Sequence, residues 1–134
     1  MSKVYFIGAG PGDPELITVK GRKLLDNADV VIYAGSLVNA ELLKGLNAEI
    51  HDSAKMTLDE IVEIIRNAVS AGKTVVRLHT GDTSFYSAIS EQIEEIRELN
   101  IGYEIIPGVS SAMAGAAILG QELTIPEISQ TVIF

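Results

Sequence analysis

A three-layer α/β sandwich built on a five-stranded, mainly parallel sheet is the fold this sequence predicts. Three observations carry it. Five short aliphatic or β-branched runs alternate with four or five stretches of helical periodicity. The connections between runs are too long for hairpins, which leaves crossovers and parallel pairing. The 134 residues are 47% hydrophobic but only 5% aromatic, with no Trp, and such an aliphatic composition suits strands covered on both faces.

The first run, Val4-Tyr5-Phe6-Ile7, breaks at the glycine-rich loop Gly8-Ala9-Gly10-Pro11-Gly12-Asp13-Pro14. Thr18 can then cap a helix carrying Val19, Leu24, Leu25 and Ala28. Asp29 to Tyr33 reads as the second strand, ended by Ala34-Gly35-Ser36, and Leu37 to Leu46 as a short helix with Leu42, Leu43 and Leu46 inward. Ala48 to His51 gives a brief third strand. Thr57-Leu58-Asp59-Glu60 is a capping box, and the helix it opens buries Leu58, Ile61, Ile65 and Ala68 before stopping at Gly72.

Thr74 to Leu78 is a fourth, buried strand, running into His79-Thr80-Gly81-Asp82-Thr83-Ser84. A helix from Phe85 or Tyr86 to about Leu99 follows, with Ile89, Ile93 and Ile96 inward and Glu91, Glu94, Glu95 and Glu98 on a solvated face. Gly102 to Ile106 is the fifth strand, broken at Pro107-Gly108. Val109 to Gly120 is an alanine-rich helix whose small residues imply close packing. Residues 1–122 thus form one domain. Residues 123–134 read as a linker, in which Thr131-Val132-Ile133-Phe134 looks like the start of a strand belonging to a further, C-terminal domain.

Charge and composition exclude several classes of function. A net charge of −8 argues against nucleic acid or an anionic membrane as partner. The absence of cysteine removes disulfides, thiol nucleophiles and cysteine metal sites, and fits a reducing compartment. The apolar runs are too short to span a bilayer, and the cytoplasm is the expected location.

Chemistry is expected beyond the carboxyl ends of the strands, where open α/β sheets place their ligands. Three loops compete for it. The Gly8–Asp13 loop lacks the dinucleotide spacing: Asp13 stands where the third glycine should open a helix, and Asp29 begins the second strand instead of ending it. Asp82 either caps the following helix or faces a cationic or hydroxyl-bearing ligand. Pro107-Gly108-Val109-Ser110-Ser111 adds two hydroxyls and free amides at a helix start. His79 reads as a core or loop histidine before it reads as a polar contact, and His51 has no visible partner. Neither a metal-ligand spacing nor a Ser/His/Asp constellation is present. A non-catalytic ligand-binding α/β domain, or a magnesium-dependent phosphate site built from Asp13 and Asp82, remains as an alternative of another class.

Gly8-Ala9-Gly10-Pro11-Gly12-Asp13-Pro14, Leu16-Ile17-Thr18-Val19-Lys20-Gly21, Gly81-Asp82-Thr83-Ser84-Phe85-Tyr86 and Pro107-Gly108-Val109-Ser110-Ser111 match, in order and spacing, the tetrapyrrole (corrin/porphyrin) methylases. Within that family, Tyr33-Ala34-Gly35-Ser36-Leu37-Val38, His79-Thr80-Gly81-Asp82 and Leu123-Thr124-Ile125-Pro126 look most like the branch that methylates carbon 11 of precorrin-4 or cobalt-precorrin-4. The resemblance implies an S-adenosylmethionine-dependent enzyme of two domains, a homodimer, with the cofactor in the cleft between domains. It also implies a first-domain strand order of 3-2-4-1-5.

By the same resemblance, Pro11, Gly81, Asp82, Thr83, Phe85, Tyr86, Ser110 and Ser111 bind the cofactor. Gly10, Gly12, Asp13, Ser36 and Lys55 border the tetrapyrrole, and no metal is implied. Lys20, Arg22 and Lys55 are candidate cations for its carboxylates. The sequence departs from the pattern at Thr83, commonly proline, and at Gly35, where close relatives tend to have an acid. A first domain alone is expected to transfer methyl groups weakly or not at all. A methylase of the same fold acting on diphthamide or ribosomal RNA is the alternative within the fold.

Overall fold

The computed structural model describes residues 2–134. Five strands, β1 (Val4–Gly8), β2 (Val30–Tyr33), β3 (Glu49–Asp52), β4 (Val75–His79) and β5 (Tyr103–Ile106), form one parallel sheet in the order β3-β2-β4-β1-β5. The order expected from the resemblance is the order found. Alternation along each strand divides the core into two layers. Ile7, Val31, Val76, Leu78 and Ile106 face Leu25 and Ala28 of the first helical segment, with Val38 and Leu42. Val4, Phe6, Val30, Ile32 and Val75 face Ile61, Ile65, Ala68 and Ile96 on the other side.

The helices α1 (Val19–Asp26), α2 (Leu58–Ser70), α3 (Ile89–Glu98) and α4 (Ser111–Ile118) supply those outer layers and the connections. Local chemistry sets their starts. Thr18 accepts the Gly21 amide at 3.0 Å, and Thr57 and Glu60 form the full capping box. Apolar periodicity was less reliable at two places. Leu37–Leu46 does not form the expected helix. Gly35–Leu37 and Ala40–Leu43 are separate 3-10 turns, the second capped by the Asn39 side chain on the Glu41 amide. Between Asn39 and Gly45, which has a φ of 75°, too few residues remain to repay helix nucleation.

The second difference is α3, which begins at Ile89 and not at Phe85 or Tyr86. Tyr86 (φ 55°) and Ala88 (φ 48°) lie in the left-handed region and hold the chain in an irregular turn. Val19 is on the exposed face of α1. α4 is shorter than the alanine-rich run, and only Ala114 of it is buried. Met113, Ile118 and Leu119 stand exposed around it. The residues after it make a small turn, bridged from Ile125 to Ser129, and Thr131–Phe134 forms no strand among the described residues. No helix among the described residues is long and apolar enough to cross a membrane.

Candidate functional site

The loops after β1, β4 and β5 meet backbone to backbone. Gly10 and Gly81 exchange amide hydrogen bonds, 3.1 Å from Gly10 N to Gly81 O and 2.7 Å from Gly81 N to Gly10 O. Gly8 and Gly108 close the third side: a Cβ built on Gly108 would lie 2.2 Å from the Gly81 oxygen and 2.8 Å from Gly8 Cα. Glycine at both positions is therefore a packing requirement.

Asp82 joins two of the loops. Its Oδ1 accepts the Gly108 amide at 2.8 Å, and its Oδ2 accepts the Ser84 amide at 3.1 Å. It turns the chain and reaches across to the neighbouring loop, and it does not cap α3. Burial pushes its pKa up, but the amides of Gly108, Ser84 and Thr83 and the Ser84 hydroxyl outweigh that. The carboxyl therefore titrates below its ordinary value.

Around these loops lies a cavity of about 340 Å³, at the lower end of the range for small-molecule sites. Pro11, Gly81, Asp82, Phe85, Tyr86, Ser110 and Ser111 line it, together with Leu37, Thr80, Ala112 and Phe134. Seven of the eight residues expected to touch the cofactor are thus in one wall. Thr83 is not among them, and it is buried, 3% exposed. Phe134 reaches the cavity by packing on Phe85, ring centroids 5.2 Å apart. No local sequence pattern marks Phe134, because the contact is made between segments far apart in the chain.

The residues expected to border the substrate lie outside the cavity. Gly10 is buried in the loop junction, and the Gly12 carbonyl accepts the Asn39 side-chain amide at 2.7 Å. Asp13 caps the 3-10 turn Pro14–Leu16 through the Glu15 amide. Ser36 and Lys55 are exposed, and Lys55 enters no ion pair among the described residues. Gly35 is buried with a φ of 56°, and a Cβ there would lie 2.9 Å from that of Ala54, so an acid has no room. Lys20 pairs with Glu104, while Arg22 pairs with Asp26 and donates to the Leu42 carbonyl. These two cations serve the fold.

Beneath the cavity, β4 carries two polar side chains into the core. Arg77 is 5% exposed, and its two partners are neutral: Gln92 Oε1 at 3.0 Å and the Ile32 carbonyl at 3.2 Å. Burial pulls its pKa down to about 10. His79 is 3% exposed, stacked at 6.4 Å on Phe6, and its Nε2 has no hydrogen-bond partner among the described residues. Burial, with Arg77 adding to it, pulls its pKa down to about 3. Sequence reading passed over Arg77. A charge inside a run of strand residues, and a glutamine on the inward side of the next helix, were the signals that could have found it.

His79 gives the fold a pH dependence. The unfolded chain binds a proton near pH 6.5 that the folded chain refuses until about pH 3. Stability should therefore be full above about 6.5 and fall as the pH drops between these values, by at most about 1.4 kcal/mol per pH unit. Urea denaturation of wild type and His79→Phe across that range checks it. The variant should lose this part of the slope, and equal slopes would refute the assignment.

The sequence and the fold are shared with known proteins. The model of the tetrapyrrole (corrin/porphyrin) methylases matches residues 3–133. A cobalt-precorrin-4 C(11)-methyltransferase of Methanocaldococcus jannaschii is 61% identical over 133 residues, covering 98% of this chain and 51% of the relative. The crystal structure of a cobalamin biosynthetic enzyme, cobalt precorrin-4 methyltransferase, superposes with a TM-score of 0.95 at 51% identity, covering 98% of this chain and 56% of that one. A uroporphyrin-III C-methyltransferase of Thermus thermophilus, solved with S-adenosylhomocysteine, gives 0.80 at 32% identity, covering 97% and 53%. The chain spans about half the length of the curated relatives it matches. With the family model matching residues 3–133 and the strand-end loops of this chain joined in one cavity, the chain belongs to the tetrapyrrole (corrin/porphyrin) methylases.

Proposed function

We propose that this chain provides the S-adenosylmethionine-binding part of a methyltransferase acting on carbon 11 of a corrin precursor, precorrin-4 or its cobalt form. The observation that carries the reading is the cavity at the junction of the three loops. It offers a carboxylate held ionised, two serine hydroxyls, backbone amides at the start of α4, and the rings of Phe85 and Tyr86. That set suits a ligand with a cationic amino-acid tail, ribose hydroxyls and a flat heteroaromatic ring. The names of the relatives at 61% and 55% identity support the substrate class.

Bound there, the donor supplies a sulfonium methyl group that a nucleophilic ring carbon takes while a neutral thioether leaves. No side chain of the protein has to be the nucleophile. The work left to this chain is alignment, which can contribute roughly 7–11 kcal/mol when reacting atoms are held in line. Lys55 is the one of the three candidate cations left outside the fold's own ion pairs, and on this reading it meets a substrate carboxylate. The exposed apolar side chains around α4 and the half-length match support a second domain and a homodimer. The cytoplasm is the location this biosynthetic reading supports.

Calorimetric titration with S-adenosylhomocysteine tests it. Saturable binding by the wild type is expected, weakened about tenfold or more in Asp82→Ala. Asp82→Asn, which keeps one acceptor oxygen, loses the charge and sets an amide donor against the other backbone N–H, should fall between. Equal affinity in all three would remove Asp82 from the ligand site. No binding by any of them would refute the reading of this cavity in this chain.

A further inference from the structure

The start of α3 lacks a conventional anchor. Its N-cap residue is Ala88, which supplies no capping side chain and sits at φ 48° where Ser, Thr, Asp or Asn in extended conformation is usual. Two residues earlier, Tyr86 at φ 55° has its ring fully exposed on the cavity wall. A left-handed non-glycine residue costs free energy and persists only where its surroundings fix it. Within the turn, the bonds from Ser87 Oγ to the Asp82 and Phe85 carbonyls, 3.4 and 3.2 Å, are long for hydroxyl donors.

The fixed point lies below. Gln92, one turn into α3, is 5% exposed. Its Oε1 accepts from Arg77 Nε at 3.0 Å, and its Nε2 donates to the Ala88 carbonyl at 3.3 Å. Arg77 in turn donates to the Ile32 carbonyl on the neighbouring strand. A buried cation is expensive unless hydrogen-bonded, so this chain of bonds has one low-energy arrangement. It runs from β2 through β4 to the residue at which α3 begins.

We propose that Arg77 and Gln92 are positioning residues for the cavity: their buried link fixes the left-handed Ala88 and so holds Phe85 and Tyr86 in the ligand-facing wall. For its ligand readout the inference rests on the S-adenosylmethionine reading of that cavity. It does not rest on it for its structural readout.

Gln92→Glu separates positioning from mere support. A carboxylate keeps, and strengthens, the bond from Arg77, but turns an acceptor oxygen toward the Ala88 carbonyl where a donor stood. The variant should melt no lower than the wild type, while amide hydrogen exchange over residues 84–89 accelerates about tenfold and exchange in β4 and α2 stays unchanged. S-adenosylhomocysteine affinity should fall about tenfold with it. Gln92→Met, which removes both bonds, should accelerate the same amides and also lower the melting temperature. Unchanged exchange over residues 84–89 in Gln92→Glu overturns the proposal. So does faster exchange with undiminished affinity, since the turn would then be loosened without consequence for the site. If the wild type fails to bind S-adenosylhomocysteine, the ligand reading falls and the exchange result alone decides the positioning link.

Discussion

Gly108→Ala should cost about 3 kcal/mol or more of stability, a fall of roughly 10 °C in melting temperature for a domain of this size. The added methyl has nowhere to go. Its nearest neighbours would be the Gly81 oxygen at 2.2 Å and the Gly8 carbonyl carbon and Cα, each at 2.8 Å. All of these are backbone atoms, of the β1 end at Gly8 and of Gly81 in the loop held by its hydrogen bonds with Gly10, so no side chain can rotate away. Relief requires the loop after β5 to move off those after β1 and β4. That move stretches the 2.8 Å bond from the Gly108 amide to Asp82 and opens the cavity along one side. Ligand affinity should therefore fall together with stability. Gly102→Ala is the control, because nothing lies within 4 Å of its Cβ. Thermal melts of both variants against wild type decide the matter. Gly108→Ala melting with Gly102→Ala would mean that the loops part without strain.

Phe6→Ala should cost about 3–5 kcal/mol, the usual range for deleting a fully buried aromatic side chain. Phe6 has no exposed surface and lies on β1, between β4 and β5. The Tyr103 ring meets it edge-on with centroids 6.3 Å apart, and His79 stacks on it at 6.4 Å. Truncation leaves a void beside a histidine whose Nε2 already has no partner among the described residues. Water entering that void would hydrate His79 and bring its pKa back toward the ordinary value. The stability loss should accordingly be greatest near neutral pH and shrink as the pH falls toward 4, because the wild type alone pays the full penalty for keeping His79 neutral. Urea titrations at two pH values measure both effects. A loss below about 1 kcal/mol would show that the neighbours collapse into the space.

Much of the fold was legible because it is written in local chemistry. The capping box at Thr57 and Glu60 marked the start of α2, and the run Val4–Ile7 marked β1, since each feature depends on residues within a few positions of one another. Most of the cavity wall was legible through the family motifs, which name seven of its lining residues. What escaped was decided at a distance. Leu42 and Leu43 have helical spacing, yet the Asn39 side chain and a left-handed Gly45 hold the segment in short turns. Nothing near Phe85 announces that Ala88 will be left-handed, because the partner that fixes it, Gln92, takes its own position from Arg77. Thr83 shows the reverse case. Its place in the motif is that of a site residue, but it is buried and is not among the residues lining the cavity.

The sheet order also governs how the chain can assemble during synthesis. β1 emerges first, but both of its neighbours, β4 and β5, are made after it, beginning at Val75 and Tyr103. β2 and β3, close together in sequence, can pair early, whereas the apolar Val4–Ile7 segment must wait with both edges open while some 70 residues are added. Closure of so non-local a pairing is slow, and an unpaired apolar strand is the surface that chaperones bind and aggregates recruit. The strand that ends at the centre of the site is thus the one most exposed to misassembly. The junction of Gly8, Gly81 and Gly108 can lock only when translation has passed the last of them.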